Sequence, residues 1–276
     1  MKQLTLGFIG AGNMASSLIA GLCADGYTPE KICASDVDAE KLDSLASRFG
    51  IKTSANNLAV VEKSQVLVLA VKPQSLREVA TGIASAVQRC KPLVISLAAG
   101  VTEADIDRWL GGGNDIVRCM PNTPALVKTG ATALHGNENI SAEQRSRAEA
   151  ILRAVGLAVW VDREELLDTV TALSGSGPAY FFLLMEAMEE AAVRLGLEPV
   201  TARLLTQQTA LGAARLAMES DESPAELRRK VTSPGGTTEA AIGSFENAGF
   251  TAMVLDAIHA AEKRSVSLSA ELGDAK

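Results

Sequence analysis

The segment Ser233-Pro234-Gly235-Gly236-Thr237-Thr238-Glu239 concentrates more usable chemistry than any other in this 276-residue chain. Proline and two glycines stop one helical pattern, and Thr237, Thr238 and Glu239 read as the first turn of the next. The first N–H groups of a helix have no acceptor within it, and the helix dipole favours negative charge there. A glycine-rich start of this kind suits a small carboxylate or phosphate. The same residues allow a plainer reading, in which Glu239 complements the dipole and the glycines only turn the chain.

A separate cradle lies near the beginning. Gly10-Ala11-Gly12-Asn13-Met14-Ala15 follows a short apolar run and opens a helical pattern. The first glycine permits a tight turn, the second lets backbone approach a pyrophosphate, and Ala15 takes the place of the third, which governs helix–strand packing. Asp36 closes the next apolar run, where an acidic residue commonly bonds the ribose 2′-hydroxyl of NAD; it also reads as a helix N-cap shared with Asp38. Ala15 leans toward NADP, so the cofactor preference stays open between the two. Asn57 adds a polar group for the adenosine end. Two cradles point to a substrate held beside a dinucleotide, and so to an enzyme.

Three further loops follow apolar runs. Ala70-Val71-Lys72-Pro73 brings a lysine to cofactor phosphate or ribose. Ser96-Leu97-Ala98-Ala99-Gly100 is small enough for backbone to come close to a nicotinamide ring. Met120-Pro121-Asn122-Thr123-Pro124 is stiffened by its prolines and displays Asn122 and Thr123. Ser174-Gly175-Ser176-Gly177-Pro178 is no hydrolase elbow: Ala172 and Ser176 stand where that motif needs glycine. Domain packing and substrate contact are both open to it.

The elements that must position these residues alternate at first. Strand patterns at 4–9, 31–35, 66–71, 93–97 and 116–120 are separated by helical ones, which predicts a parallel, doubly wound α/β sheet. Residues 66–71 are apolar throughout, as in a central strand covered on both faces. Further strands are predicted at 131–134 and 157–161, flanking a helix over 142–154. Beyond Asp162 only helical patterns remain, at 164–173, 179–195, 201–219, 225–231, 238–247 and 251–272. The spacing thus predicts a Rossmann-type domain over 1–162 and an all-helical domain over 163–276. The apolar faces of the latter exceed what a small bundle can cover, which predicts a second subunit.

Composition excludes several classes. A net charge of -7 argues against a nucleic-acid partner. Glu186, Glu189 and Glu190 interrupt the longest apolar stretch, so no membrane span is expected. Two histidines and four scattered cysteines make no metal site, and the cysteines read as reduced thiols of a cytoplasmic protein.

Taken together, FIGAGNM, LAVKPQ, SLAAGVT, RCMPNTPALV, LSGSGPAY and ELRRKVTSPGGTTEAAI resemble the pyrroline-5-carboxylate reductase family nearly end to end. The resemblance implies reduction of 1-pyrroline-5-carboxylate to L-proline with NADPH, or NADH in some members. It implies a helical domain interlocked in a homodimer and a larger, decameric ring of dimers. Residues 233–238 would hold the substrate carboxylate through backbone N–H groups, with Ser233, Gly235, Gly236 and Thr237 binding and Thr238 facing the imine nitrogen. Asp36 departs from a strict NADPH pattern. A β-hydroxyacid dehydrogenase shares the architecture but needs a lysine in its interdomain helix, and residues 179–219 contain none. A non-catalytic dinucleotide-binding regulator is the remaining rival, and the intact 233–238 loop argues against it.

Overall fold

The computed structural model describes residues 3–273. These residues form two compact units: one runs up to Ser176 and takes up the chain again from Ala260, and the other is Gly177–His259.

The first unit is built on an eight-stranded sheet in the order β3-β2-β1-β4-β5-β6-β7-β8. Its strands are β1 Leu6–Ile9, β2 Ile32–Ser35, β3 Lys52–Ser54, β4 Val66–Leu69, β5 Leu93–Ser96, β6 Ile116–Met120, β7 Gly130–Gly136 and β8 Gly156–Trp160. Between them run α1 Asn13–Ala24, α2 Ala39–Phe49, α3 Asn57–Val61, α4 Pro73–Cys90, α5 Glu103–Trp109 and α6 Ala142–Arg153. Strand order reverses between β1 and β4, the place where dinucleotide folds open a ligand crevice at the carboxyl ends of the strands.

Central β4 shows why its sequence carries no alternation. Val66 and Val68 join a core with α1, α2 and α6, while Leu67 and Leu69 join a second with α3, α4 and α5. All four are fully buried, and each such side chain contributes about 1.5–3 kcal/mol relative to exposure. At Gly7 on β1 a Cβ would fall 2.0 Å from Ser64 Oγ, so the neighbouring turn packs directly on the strand.

Three features differ from the sequence expectation. β7 pairs antiparallel with β6, although every other pair is parallel. Only residues 121–129 join them, with a 3-10 turn Thr123–Val127, and that is too short for a parallel crossover. β3 and α3 were not anticipated, because a three-residue edge strand with one exposed lysine carries almost no hydrophobic period.

The predicted helix over 164–173 is also broken. It forms as α7 Leu166–Val170 and then widens into a π turn, Thr171–Gly175. The N–H of Ser176 reaches back to the Thr171 carbonyl at 2.8 Å. Gly175 packs closely there: a Cβ on it would lie 2.5 Å from Met120 Cε.

The second unit contains α8 Gly177–Arg194, α9 Pro199–Glu219, α10 Pro224–Lys230 and α11 Thr237–Asn247. A last helix, α12 Phe250–Gly273, begins here, and its residues from Ala260 belong to the first unit. Large apolar side chains stand open on α8 and α9, among them Phe181, Phe182, Leu204, Leu211 and Met218. Surface of this kind marks an association face rather than a finished exterior. Among the described residues no helix is long and apolar enough to cross a membrane.

Candidate active site

The turn from β1 into α1 is shaped by one close approach. Gly10 has φ 101°, and a Cβ there would sit 2.6 Å from the Ala70 carbonyl oxygen beyond β4. Only glycine can hold both that conformation and that distance. The Gly10 N–H is bonded to the Ser35 carbonyl at 2.8 Å, and the Ala70 N–H to the Ile9 carbonyl at 2.8 Å. Gly12 then takes the N-cap place of α1 without a side-chain cap, and no acidic residue lies in the first turn. A Cβ on Gly12 would meet nothing within 4 Å. The backbone of Asn13 and Met14 therefore opens onto space with the positive end of the dipole behind it, which fits a dinucleotide pyrophosphate. Ala15 is fully buried, packing the helix onto the sheet.

Asp36 does not share the N-cap of α2. One carboxylate oxygen accepts the Ala11 N–H at 2.7 Å and the other the Asp38 N–H at 2.9 Å, so the side chain braces the glycine turn. The N-cap of α2 is Asp38 by itself, accepting from Glu40 and Lys41 N–H groups. The Lys41 ammonium, 3.3 Å away, and those N–H groups hold the Asp38 carboxyl below its ordinary range. Asn57 is fixed by the buried Ser35, whose hydroxyl donates to its Oδ1 at 2.7 Å. Sequence reading missed Ser35, since a lone serine inside an apolar strand looks like packing.

The remaining strand ends separate backbone from side-chain candidates. Lys72 is the N-cap residue of α4, exposed and followed by Pro73 in the first turn. The Ala98 side chain is buried and Ala99 half-buried, so this loop offers mainly its backbone. Asn122 is engaged at both ends of its amide: Nδ2 donates to the Ser174 carbonyl at 3.0 Å, and Oδ1 accepts the Ala131 N–H at 2.8 Å. Its side chain thus ties the β6 loop to the π turn. The Ser174 carbonyl is the motif's part in that tie.

At the start of α5 lies a cluster that the sequence did not disclose. Glu164 accepts from Arg118 Nη1 at 2.9 Å and from the Glu103 N–H at 2.8 Å; Glu103 in turn meets His135 Nδ1 at 2.8 Å. Arg118 is only 4% exposed. Arg118 and His135 are register partners across β6 and β7, so the antiparallel pairing itself brings them together. Burial pushes the Glu103 carboxyl above its ordinary value, Glu164 adds to that, and the His135 hydrogen bond opposes it. These four residues lie 61 positions apart at the extremes, beyond any motif window.

In the second unit, residues 233–239 form the predicted helix start. Gly235 has φ 69°, and Gly236 is the N-cap of α11 with no side-chain cap. The Gly236 N–H is bonded to the Ser233 carbonyl at 3.0 Å, and the Gly235 N–H to the Glu239 carboxylate at 2.7 Å. Thr237 and Thr238 occupy the first turn, where N–H groups have no acceptor inside the helix. Among the described residues there is no group of three or more His, Cys, Asp or Glu side chains that could hold a metal ion.

These features define a Rossmann-type dinucleotide-binding domain coupled in one chain to a helical domain with an uncapped, glycine-rich helix start of its own. Comparison with known proteins agrees. A family described as pyrroline-5-carboxylate reductase dimerisation matches residues 164–268, and one described as NADP oxidoreductase, coenzyme F420-dependent, matches residues 5–100. A pyrroline-5-carboxylate reductase of Pseudomonas aeruginosa is 51% identical over 273 residues, covering 99% of this chain and 100% of that one. The solved reductase of Coxiella burnetii superposes with a TM-score of 0.93 at 47% identity, covering 96% of this chain and 98% of the other. That of Plasmodium falciparum, solved with NADP bound, gives 0.85 at 28% identity, covering 98% and 99%. The chain belongs to the pyrroline-5-carboxylate reductase family.

Two glycines of the cradle make opposite predictions. Gly10→Ala forces a Cβ against the Ala70 carbonyl and should cost about 2–5 kcal/mol of stability, read as a lowered Tm. Gly12→Ala meets no protein atom, so Tm should hold while dinucleotide affinity falls, measured by calorimetric titration. A second expectation concerns pH. Because Glu103 ionises less readily in the fold, its stabilising contribution is complete below its ordinary value of 4.5 and is lost as pH rises through the raised one. Glu103→Gln, fixed in the neutral state, should therefore gain on the parent as pH climbs from about 4 to about 7 in denaturant titrations. A constant difference across that range contradicts the assignment.

Proposed function

We propose that the protein reduces 1-pyrroline-5-carboxylate to L-proline with NADPH, accepting NADH as well. The observation that carries this reading is the α11 start: an N-terminus left without a side-chain cap, with Thr237 and Thr238 in its first turn. A bound cofactor supplies hydride to the carbon of the C=N bond, and the chain supplies the placement.

Gly10, Gly12, Asn13 and Met14 would hold the pyrophosphate by backbone and dipole. Ala70, Lys72 and Pro73 border the same crevice from β4, with Lys72 contributing the positive charge. Ala98 and Ala99 offer backbone to the nicotinamide, and Asn122 keeps the adjoining loop in place. Asn57 and Asp36 serve the adenosine ribose. Asp36 puts a negative charge near the 2′-position but spends its carboxylate on Ala11 and Asp38, which tempers the repulsion a 2′-phosphate would meet. That balance supports use of both cofactors.

The substrate carboxylate would lie against the backbone of residues 233–238, and the Thr238 hydroxyl would hydrogen-bond the ring nitrogen. Hydride is accepted best by the protonated imine, so this hydroxyl helps keep a proton at nitrogen. No histidine lies in the segment to act as a stronger acid. Catalysis then rests on holding two rings in a near-attack geometry.

We assign 1–162 to cofactor binding and 163–276 to substrate binding and dimerisation. The open apolar faces of α8 and α9 support a homodimer, and a decameric ring of such dimers is the larger assembly this reading includes. Four free cysteines support a reducing, cytoplasmic setting. The acidic balance supports a partner list without nucleic acid.

NADPH oxidation with pyrroline-5-carboxylate tests the reading, and a folded, cofactor-binding protein that shows no turnover removes it. Thr238→Ala should lower turnover about 10- to 100-fold, as loss of one buried hydrogen bond to a charged centre does, with cofactor affinity unchanged. Parental kinetics in that variant would remove the role given to the hydroxyl.

A further inference from the structure

Two of the N–H groups in the substrate loop are already engaged within the chain. Gly236 donates to the Ser233 carbonyl at 3.0 Å, which closes a tight turn. Gly235 donates to Glu239 Oε2 at 2.7 Å, a charge-assisted bond that reaches back from the third residue of α11 to the residue before its N-cap. A capping box would instead place the glutamate on the N-cap N–H, and here that donor faces Ser233. The offset by one residue has a consequence. It holds Gly235 in its left-handed conformation, φ 69°, and leaves the first-turn donors of Thr237 and Thr238 for another acceptor.

The loop is braced on its other side as well. Arg228, in the last turn of α10, pairs with Glu246 of α11 at 3.0 Å, and the Thr232 hydroxyl donates to the Arg228 carbonyl at 2.6 Å. The two helices are thereby tied across residues 231–236. Within that frame, among the described residues, Glu239 is the side chain bonded to the glycine turn itself.

The geometry points to Glu239 as a positioning residue for substrate: by taking up the Gly235 N–H it fixes the turn and assigns the imino-acid carboxylate to the N–H groups of Thr237 and Thr238. This rests on the reductase reading of the loop. It also narrows that reading, since Gly235 and Gly236 then shape the cradle without donating to the ligand. The carboxylate of Glu239 carries the same charge as the substrate's, so the arrangement works only if it stays on Gly235. A glutamate free to enter the cradle would compete with substrate instead.

The test uses the full chain with Glu239→Ala and Glu239→Gln, read by steady-state kinetics and by amide hydrogen exchange over residues 233–239. Glu239 is exposed, so both variants should keep the parental Tm. The alanine variant should raise KM for pyrroline-5-carboxylate about 3- to 10-fold, with KM for NADPH unchanged, and exchange at Gly235 should quicken about fivefold, the worth of one hydrogen bond. The glutamine variant retains an accepting oxygen and should stay within about twofold of the parent on both counts. An unchanged substrate KM in Glu239→Ala, an equal loss in both variants, or tighter substrate binding in Glu239→Ala each overturns the assignment; the last would make Glu239 a competitor. If the parent oxidises no NADPH with pyrroline-5-carboxylate, the reductase reading itself falls and this role falls with it. An active parent with unaltered variants removes the Glu239 role alone.

Discussion

Helix N-termini left without a side-chain acceptor are the constraint on which this molecule turns. Six of its helices are capped in the ordinary way: Asp38 for α2, Asn56 for α3, Thr102 for α5, Ser141 for α6, Glu198 for α9 and Ser223 for α10. α1, α4 and α11 forgo such a cap, and they begin at Gly12, Lys72 and Gly236, in the residues that the chemistry singled out. The short α7, which runs into the π turn, lacks one too. Forgoing a cap costs about 0.5–2 kcal/mol per helix, which the buried sheet can carry and a ligand anion can offset. Glycine at two of these starts keeps the approach clear, and the Gly10 contact with the Ala70 carbonyl sets the first against the sheet.

Around that constraint the two units divide the work differently. The first joins its cradle to a rigid frame: β4 buried on both faces, Asp36 bracing the glycine turn, and Arg118, Glu164, Glu103 and His135 joined by hydrogen bonds. A network of that kind is costly if any partner is removed, because a buried charge is then left alone. The second unit fixes its cradle with exposed groups, Glu239 on Gly235 and Arg228 on Glu246. Its stability must come largely from elsewhere, since few of its side chains are buried within one chain. A dimer would supply the missing cover and give the exposed faces of α8 and α9 their purpose.

Much of this was legible in the sequence, and what was not has physical reasons. Periodicity located the sheet and helices because β4 is apolar without a break and α1, α4 and α9 repeat at helical spacing. The glycines at 10 and 235 were legible because few side chains tolerate their left-handed turns, and those at 12 and 236 because each opens a helix without a side-chain cap. The antiparallel β7 was not, since connection length rather than strand composition decided it. The Glu103 cluster depends on pairing across β6 and β7, and the Asn122 tie on a residue 52 positions away. Asp36 was correctly placed at the end of β2, yet its bond to Ala11 required coordinates, as did the commitment of Glu239 to Gly235. Local chemistry was readable; contacts made by folding were not.

The central claim is that backbone N–H groups at the start of α11 hold the substrate's carboxylate. Comparing kcat/KM for pyrroline-5-carboxylate with that for 1-pyrroline, the same ring without the carboxylate, tests it most directly. The account predicts a preference of at least about tenfold for the acid, as expected for charge-assisted hydrogen bonds worth about 1.5–3 kcal/mol. Equal kcat/KM for the two imines would contradict it.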